Sequence, residues 1–137
     1  MDFRTQMSIL IQLSLVDKQL SPPEKRMIYA LGKANNIPEN EIDELFDDLL
    51  GKKRHTLPPI VDLTDEDKFD YLFNLIHLMK VDKKVYLSEI RFCEDLAEKL
   101  GYKKQVVSIL SSKIFGDSAF GPGWEELKTV AENYKLV

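Results

Sequence analysis

Cysteine occurs once in these 137 residues, so no disulfide can close within the chain. Cys93 stands among Ile90, Phe92 and Leu96 and reads as a small buried side chain in a reducing compartment, with the cytoplasm expected. No apolar run approaches the roughly 20 residues that a membrane-spanning helix needs. The N-terminal apolar stretch, Ile9 to Val16, is interrupted by Gln12 and Ser14 and preceded by Asp2. No small-residue cleavage site follows it, so it reads as a helix and not as a signal peptide. Peripheral association with a membrane is left open. An excess of positive charge is missing too: 19 Lys and Arg face 23 Asp and Glu, a net charge of −4, and no nucleic-acid partner is expected. Histidine occurs only as His55 and His77, neither beside a nucleophile motif. The chain also lacks a glycine-rich phosphate loop, a zinc-ligand spacing and a nucleophile elbow, so an enzyme is not expected. Strict two-residue alternation, the mark of a half-buried strand, is absent over useful length.

What is present is helical periodicity. The chain is 44% hydrophobic and 31% charged, enough for one domain with a full core. Phe3, Met7, Leu10, Ile11 and Leu13 give a helix that ends near Asp17. Ser21-Pro22-Pro23-Glu24 starts a second, with Ser21 as N-cap, Pro22 at the first helical position and Glu24 as capping-box partner. Asn35 and Asn36 end it in a left-handed residue. Pro38 opens a third helix through Ile42, Phe46 and Leu49 to Gly51. Thr64 caps a fourth, with Asp65, Glu66 and Asp67 at its positive end. A fifth runs from about Leu87 to Leu100 and stops at Gly101. A sixth is predicted from Lys103 to Phe115, and Trp124, Leu127, Val130, Ala131 and Tyr134 form a last one across the end of the bundle.

The chain also matches itself at an offset of 65. Asp17 pairs with Asp82, Glu24 with Glu89, Lys18 with Lys83 and Arg26 with Arg91, and five apolar identities (Leu10, Ile11, Leu13, Val16 and Leu31) join them. Matching leucines mean little between amphipathic helices, but matching charges favour a duplicated three-helix unit. The predicted architecture is therefore all-α. About seven helices form one orthogonal-type bundle, with one half over about 1–51, a linker over about 52–62, a second half over about 63–115, and a turn with a C-terminal helix over 116–137.

Asp17-Lys18-Gln19-Leu20-Ser21-Pro22-Pro23-Glu24 resembles the Asp-Gly-x-Ile-Ser-x-x-Glu signature of TerB-like domains, named for a tellurite-resistance protein, and Asp82 to Glu89 resembles a looser second copy. The resemblance covers most of residues 1 to 115. It implies a helical domain with two similar halves and an acidic divalent-metal site at Asp17, Glu24, Asp82 and Glu89. The family glycine after the Asp is Lys18 here, and Lys83 in the second copy, while Tyr86 stands where the motif has Ser.

Each acid also has a reading without a ligand. Glu24 completes the capping box of Ser21. For Glu89, either Ser88 is the cap and the acid only favours the helix dipole, or it serves something else. Asp17 and Asp82 end helices, where the macrodipole disfavours an anion by a few tenths to about 1 kcal/mol. Lysine neighbours, Arg26 or Arg91 across the bend, a capping role or a cation would offset this. Two carboxylates fall short of the roughly 6 to 8 oxygens that Ca²⁺ prefers, so one bend alone would bind Ca²⁺ or Mg²⁺ weakly. Two functions stand side by side: a weak divalent-metal or stress-response interaction module, and a metal-free scaffold for a protein partner. A dimer is compatible with either. Lys52, Lys53, Arg54 and His55 read as a solvated linker, the acids of the third helix as a solvent face, and Trp124 with Phe120 as closure of the core.

Overall fold

The computed structural model describes residues 3–16, 20–51, 57, 60, 63–81, 84–114 and 123–136. Among them are seven helices: α1 (Phe3–Leu15), α2 (Pro22–Ala34), α3 (Glu39–Leu50), α4 (Asp65–Lys80), α5 (Leu87–Lys99), α6 (Gln105–Ser111) and α7 (Trp124–Glu132). The all-helical expectation holds. Among the described residues, Tyr102 and Lys135 form an isolated antiparallel bridge outside the helices.

The helix ends follow from local chemistry. Thr64 caps α4, accepting from the Asp67 N–H at 3.1 Å while Asp67 returns the bond to the Thr64 N–H. Asn36 takes a left-handed conformation after α2, with φ of 61°, and Gly101 does the same after α5, with φ of 92°. Both free the chain to turn where an ordinary side chain would be strained. Gly51 ends α3 differently, in a right-handed conformation with φ of −77°. The sixth helix is shorter than predicted: its regular part stops at Ser111, and Ser112 and Ser108 spend their hydroxyls on carbonyls three residues back. Such back-bonding competes with the helical ladder.

α1 and α4 form the centre. Both are buried nearly all round, α1 from Ile9 through Ser14 and α4 at eight positions including Tyr71, Leu75 and Ile76, as helices at the middle of a bundle must be. α1 packs on α4, α2 and α3. α4 packs on α1, α5, α6 and α7. Across the seam between α1 and α4, Asn74 Nδ2 donates to Gln6 Oε1 at 2.7 Å, which gives one polar atom of each buried amide a partner.

The offset of 65 seen in the sequence recurs in the structure. α5 has the bounds of α2 moved by 65, and the three buried positions of α2, Glu24, Ile28 and Gly32, correspond to Glu89, Cys93 and Ala97, all buried in α5. Leu20, Leu57 and Ile60, partly buried, add to the margin of the core.

The chain ends by tying itself to the loop after α5. Lys103 N–H donates to the Tyr134 carbonyl and Leu136 N–H to the Gly101 carbonyl. Lys135 reaches Asp65 at 3.1 Å and Glu132 at 2.8 Å.

Candidate functional site

Both bends were singled out by their acids, and the structure gives the two glutamates the same local task. Ser21 is extended, with φ of −77° and ψ of 152°, and Pro22 starts α2. Glu24, at the third helical position, accepts through Oε1 from the Ser21 N–H at 3.2 Å and from the Ser21 hydroxyl at 2.8 Å, and its own N–H donates to Ser21 Oγ at 3.3 Å. The carboxylate is only 2% exposed. Two donors and the positive end of a helix make that burial tolerable.

In the second bend the cap is Tyr86, not Ser88, which lies inside α5. A phenol ring cannot fold back onto the third N–H, and Tyr86 makes no side-chain cap bond. Glu89 still performs its half: Oε1 accepts from the Tyr86 N–H at 3.0 Å, with the side chain 1% exposed. The second capping box is thus one-armed, with the acid retained and the hydroxyl lost.

Asp17 and Asp82, with Lys18 and Lys83, lie outside the described residues. Among the described residues no group of three or more His, Cys, Asp or Glu side chains is arranged to hold a metal ion. α2 and α5 do not pack on one another, so Glu24 and Glu89 stand on separate helices, each committed to its own bend. The predicted contact of Trp124 with Phe120 also falls outside the described residues. Trp124 instead meets Phe69 edge to face, with centroids 5.1 Å apart, an arrangement favoured by aromatic quadrupoles.

Other titratable groups are placed for structure. Cys93 is fully buried, its Sγ 3.8 Å from Met79 Sδ. Burial, reinforced by the nearby charges of Glu89 and Glu94, pushes its thiol far above the ordinary range, the reverse of what a reactive cysteine needs. Asp70, half-buried, has its carboxyl raised above the ordinary value by burial, while Gln6 and Trp124 pull it back down. Gln6 Nε2 falls short of a full hydrogen bond but faces that acid. Tyr29 stacks on Phe46 at 5.7 Å and donates to Asp43. Burial and that bond push its phenol up to about 12.

The described residues also line two surface hollows. One, of about 400 Å³, lies between α2 and α3 and is lined by Pro22, Lys25, Arg26, Tyr29, Glu39 and Asp43. The other, of about 360 Å³, lies between α1 and α3 and is lined by Arg4, Glu41, Glu44, Leu45 and Asp48. Arg4 spans the second, its Nε 2.8 Å from Glu41 Oε2. Sequence reasoning read the α3 acids as a uniform solvent face and missed this hollow. The signal that could have found it was the offset of 65, which sets Arg4 opposite Phe69 and Glu41 opposite Val106.

No helix is long and apolar enough to cross a membrane among the described residues. No protein-family model, curated protein or solved structure matches the chain.

Proposed function

We propose that this chain is a non-enzymatic interaction module made of two like three-helix units, α1 to α3 and α4 to α6, with α7 added to the second, as the resemblance to TerB-like domains implies. The observation that carries it is the equivalence of Glu24 and Glu89. Each is buried at the third position of its helix and accepts from the N–H of its N-cap, at positions 65 apart. The packing supports the same reading. Each unit has all three of its helices in mutual contact, and the units meet through α1 against α4, with α1 also touching α5 and α4 touching α2. That set of contacts maps onto itself when the two units are exchanged, as in a two-fold arrangement of like patches.

On this reading the bends are held by protein hydrogen bonds, and the protein is a scaffold for a protein partner. The divalent-cation reading gives the acids a second role, with Asp17 and Asp82 completing a site around Ca²⁺ or Mg²⁺ beside glutamates already engaged in caps. Calorimetric titration of metal-stripped protein with Ca²⁺, Mg²⁺, Mn²⁺ and Zn²⁺ separates the two. The scaffold predicts no heat of binding and no rise in melting temperature. A saturable heat lost in a variant carrying Asp17→Ala and Asp82→Ala would establish the cation module instead.

A further inference from the structure

In the second unit the hollow between the first and third helices is filled. α7 packs on both α4 and α6, with Trp124 against Phe69 and with Leu127 and Ala131 buried. In the first unit, among the described residues, α3 packs only on α1 and α2, and the hollow between α1 and α3 is open, at about 360 Å³. These are the same hollow. Moving its lining residues Arg4, Glu41, Glu44, Leu45 and Asp48 by 65 gives Phe69, Val106, Ile109, Leu110 and Lys113, which lie on the two helices that α7 packs against, with Phe69 meeting Trp124 of α7. The correspondence rests on the two-unit reading proposed above.

The side chains tell what each version is made to receive. Where α7 sits, the counterparts Phe69, Val106 and Leu110 are apolar and fully buried. In the open version Leu45 keeps the apolar floor, half-buried, while Phe69 becomes Arg4 and the two walls Val106 and Ile109 become Glu41 and Glu44. Asp48 replaces Lys113 and reverses its sign. One arginine against Glu41, Glu44 and Asp48 makes the lining net negative. α3 as a whole, from Glu39 to Leu50, carries six acids and no basic residue.

We infer that the α1/α3 groove docks an amphipathic helix of a protein partner, laid across α1 and α3 as α7 lies across α4 and α6, with small apolar residues on Leu45 and Lys or Arg against Glu44 and Asp48. α7 is the internal template for the shape of the occupant, and the acids set its charge. Steering by the acidic face would speed encounter and select against acidic helices, including a second copy of α7 itself.

The test uses the full chain in chelator and an array of 14-residue helical peptides that carry Leu or Ala at two positions four apart and Lys or Arg on the flanking positions. Amide shift perturbations on binding should fall on α1 and α3 around Leu45. The pair Glu44→Lys with Asp48→Lys should weaken binding about tenfold. The pair Asp95→Lys with Glu98→Lys, exposed on α5 and equal in charge change, should leave it nearly unchanged. Equal weakening by both pairs, or shifts spread over the surface, would reduce the effect to overall charge and overturn the inference. So would a concentration-dependent dimer that the Glu44 and Asp48 pair abolishes. Failure of every peptide alongside a silent metal titration removes the groove and leaves the scaffold reading standing. Peptide binding alongside a responsive metal titration keeps the groove and removes the metal-free reading.

Discussion

Gly32 lies so close to Ile42 that a Cβ on the glycine would stand 2.5 Å from Ile42 Cδ1 and 3.3 Å from Met7 Cε. The positions 65 further along are Ala97 and Val107, both buried. In sequence, one carbon has moved between the two positions: glycine and isoleucine at the first pair, alanine and valine at the second. The side-chain carbon count is the same on both sides, as close packing demands of two surfaces at the same spacing.

Gly32→Ala alone should overpack this contact, since Ile42 is fully buried and its terminal methyl has little room to turn. Overpacking of about 1 to 3 kcal/mol then outweighs the helix-propensity gain of about 1 kcal/mol. Ile42→Val alone should cost about 1 kcal/mol through the lost methylene. Combined, the two changes rebuild the Ala97–Val107 pair, and the double variant should be more stable than the sum of the singles by about 1 kcal/mol or more. Urea unfolding of the four proteins measures the coupling; strict additivity would reject the packing argument.

The two capping boxes should respond unequally. Ser21→Ala removes an acceptor from the Glu24 N–H and a donor to its carboxylate, at a cost of about 1 to 2 kcal/mol. Tyr86→Ala should cost less than this, because the phenol makes no cap bond and the residue is 39% exposed. Glu24→Ala and Glu89→Ala should both destabilise by about 1 to 2 kcal/mol, each freeing a backbone donor at a buried helix start. Thermal melts of the four variants decide it, and a Tyr86→Ala loss as large as that of Ser21→Ala would contradict the one-armed box.

Asp70 predicts a pH dependence with a definite sign. Burial raises its carboxyl above the ordinary 3.8, so the folded protein binds this proton more tightly than the unfolded chain does. Its contribution to stability is greatest below the unfolded value and falls as pH rises through the folded one. Asp70→Asn keeps an acceptor for Gln6 and Trp124 and removes the charge. The variant should gain melting temperature over the parent at pH 7 and lose that advantage as pH drops below the ordinary carboxylate value. A difference that does not change with pH would show that the acid is not strained by burial.

Cys93 should be inert while the protein is folded. Its burial and raised thiol predict negligible reaction with a thiol reagent at pH 8, and one full equivalent on denaturation. Because it occupies the place that Ile28 fills in α2, labelling reports the opening of α5 against the core. Rapid labelling without global unfolding would mean that α5 opens on its own.

Much of this was legible in the chain because its signals are local. Ser21, Thr64, Asn36 and Gly101 mark helix ends through bonds or backbone angles that reach only three or four residues. The spacing of Glu24 and Glu89 from their bends anticipated two helix starts. Glu89 was harder to read, since its role depends on which residue is the N-cap, and Tyr86 offers no polar side chain near the backbone to advertise it. The sixth helix was overdrawn because apolar spacing continues to Ile114, whereas the regular helix stops at Ser111 and the chain goes on in a turn whose Lys113 and Ile114 N–H groups both donate to the Leu110 carbonyl.

The sequence by itself determined that the chain is helical, where most helices begin and end, and that it matches itself at 65 residues, because propensity, capping and periodicity act over one or two turns. Only the tertiary structure decided that α1 and α4 form the centre, that the two glutamates are buried on helices that do not touch, and that a hollow of about 360 Å³ lies between α1 and α3. Those facts depend on which surfaces meet. The capping bond of Glu89 can be drawn from four residues; the groove beside Leu45 exists only because α1 and α3 lie side by side, bringing together Arg4 and Glu41, 37 positions apart in the chain.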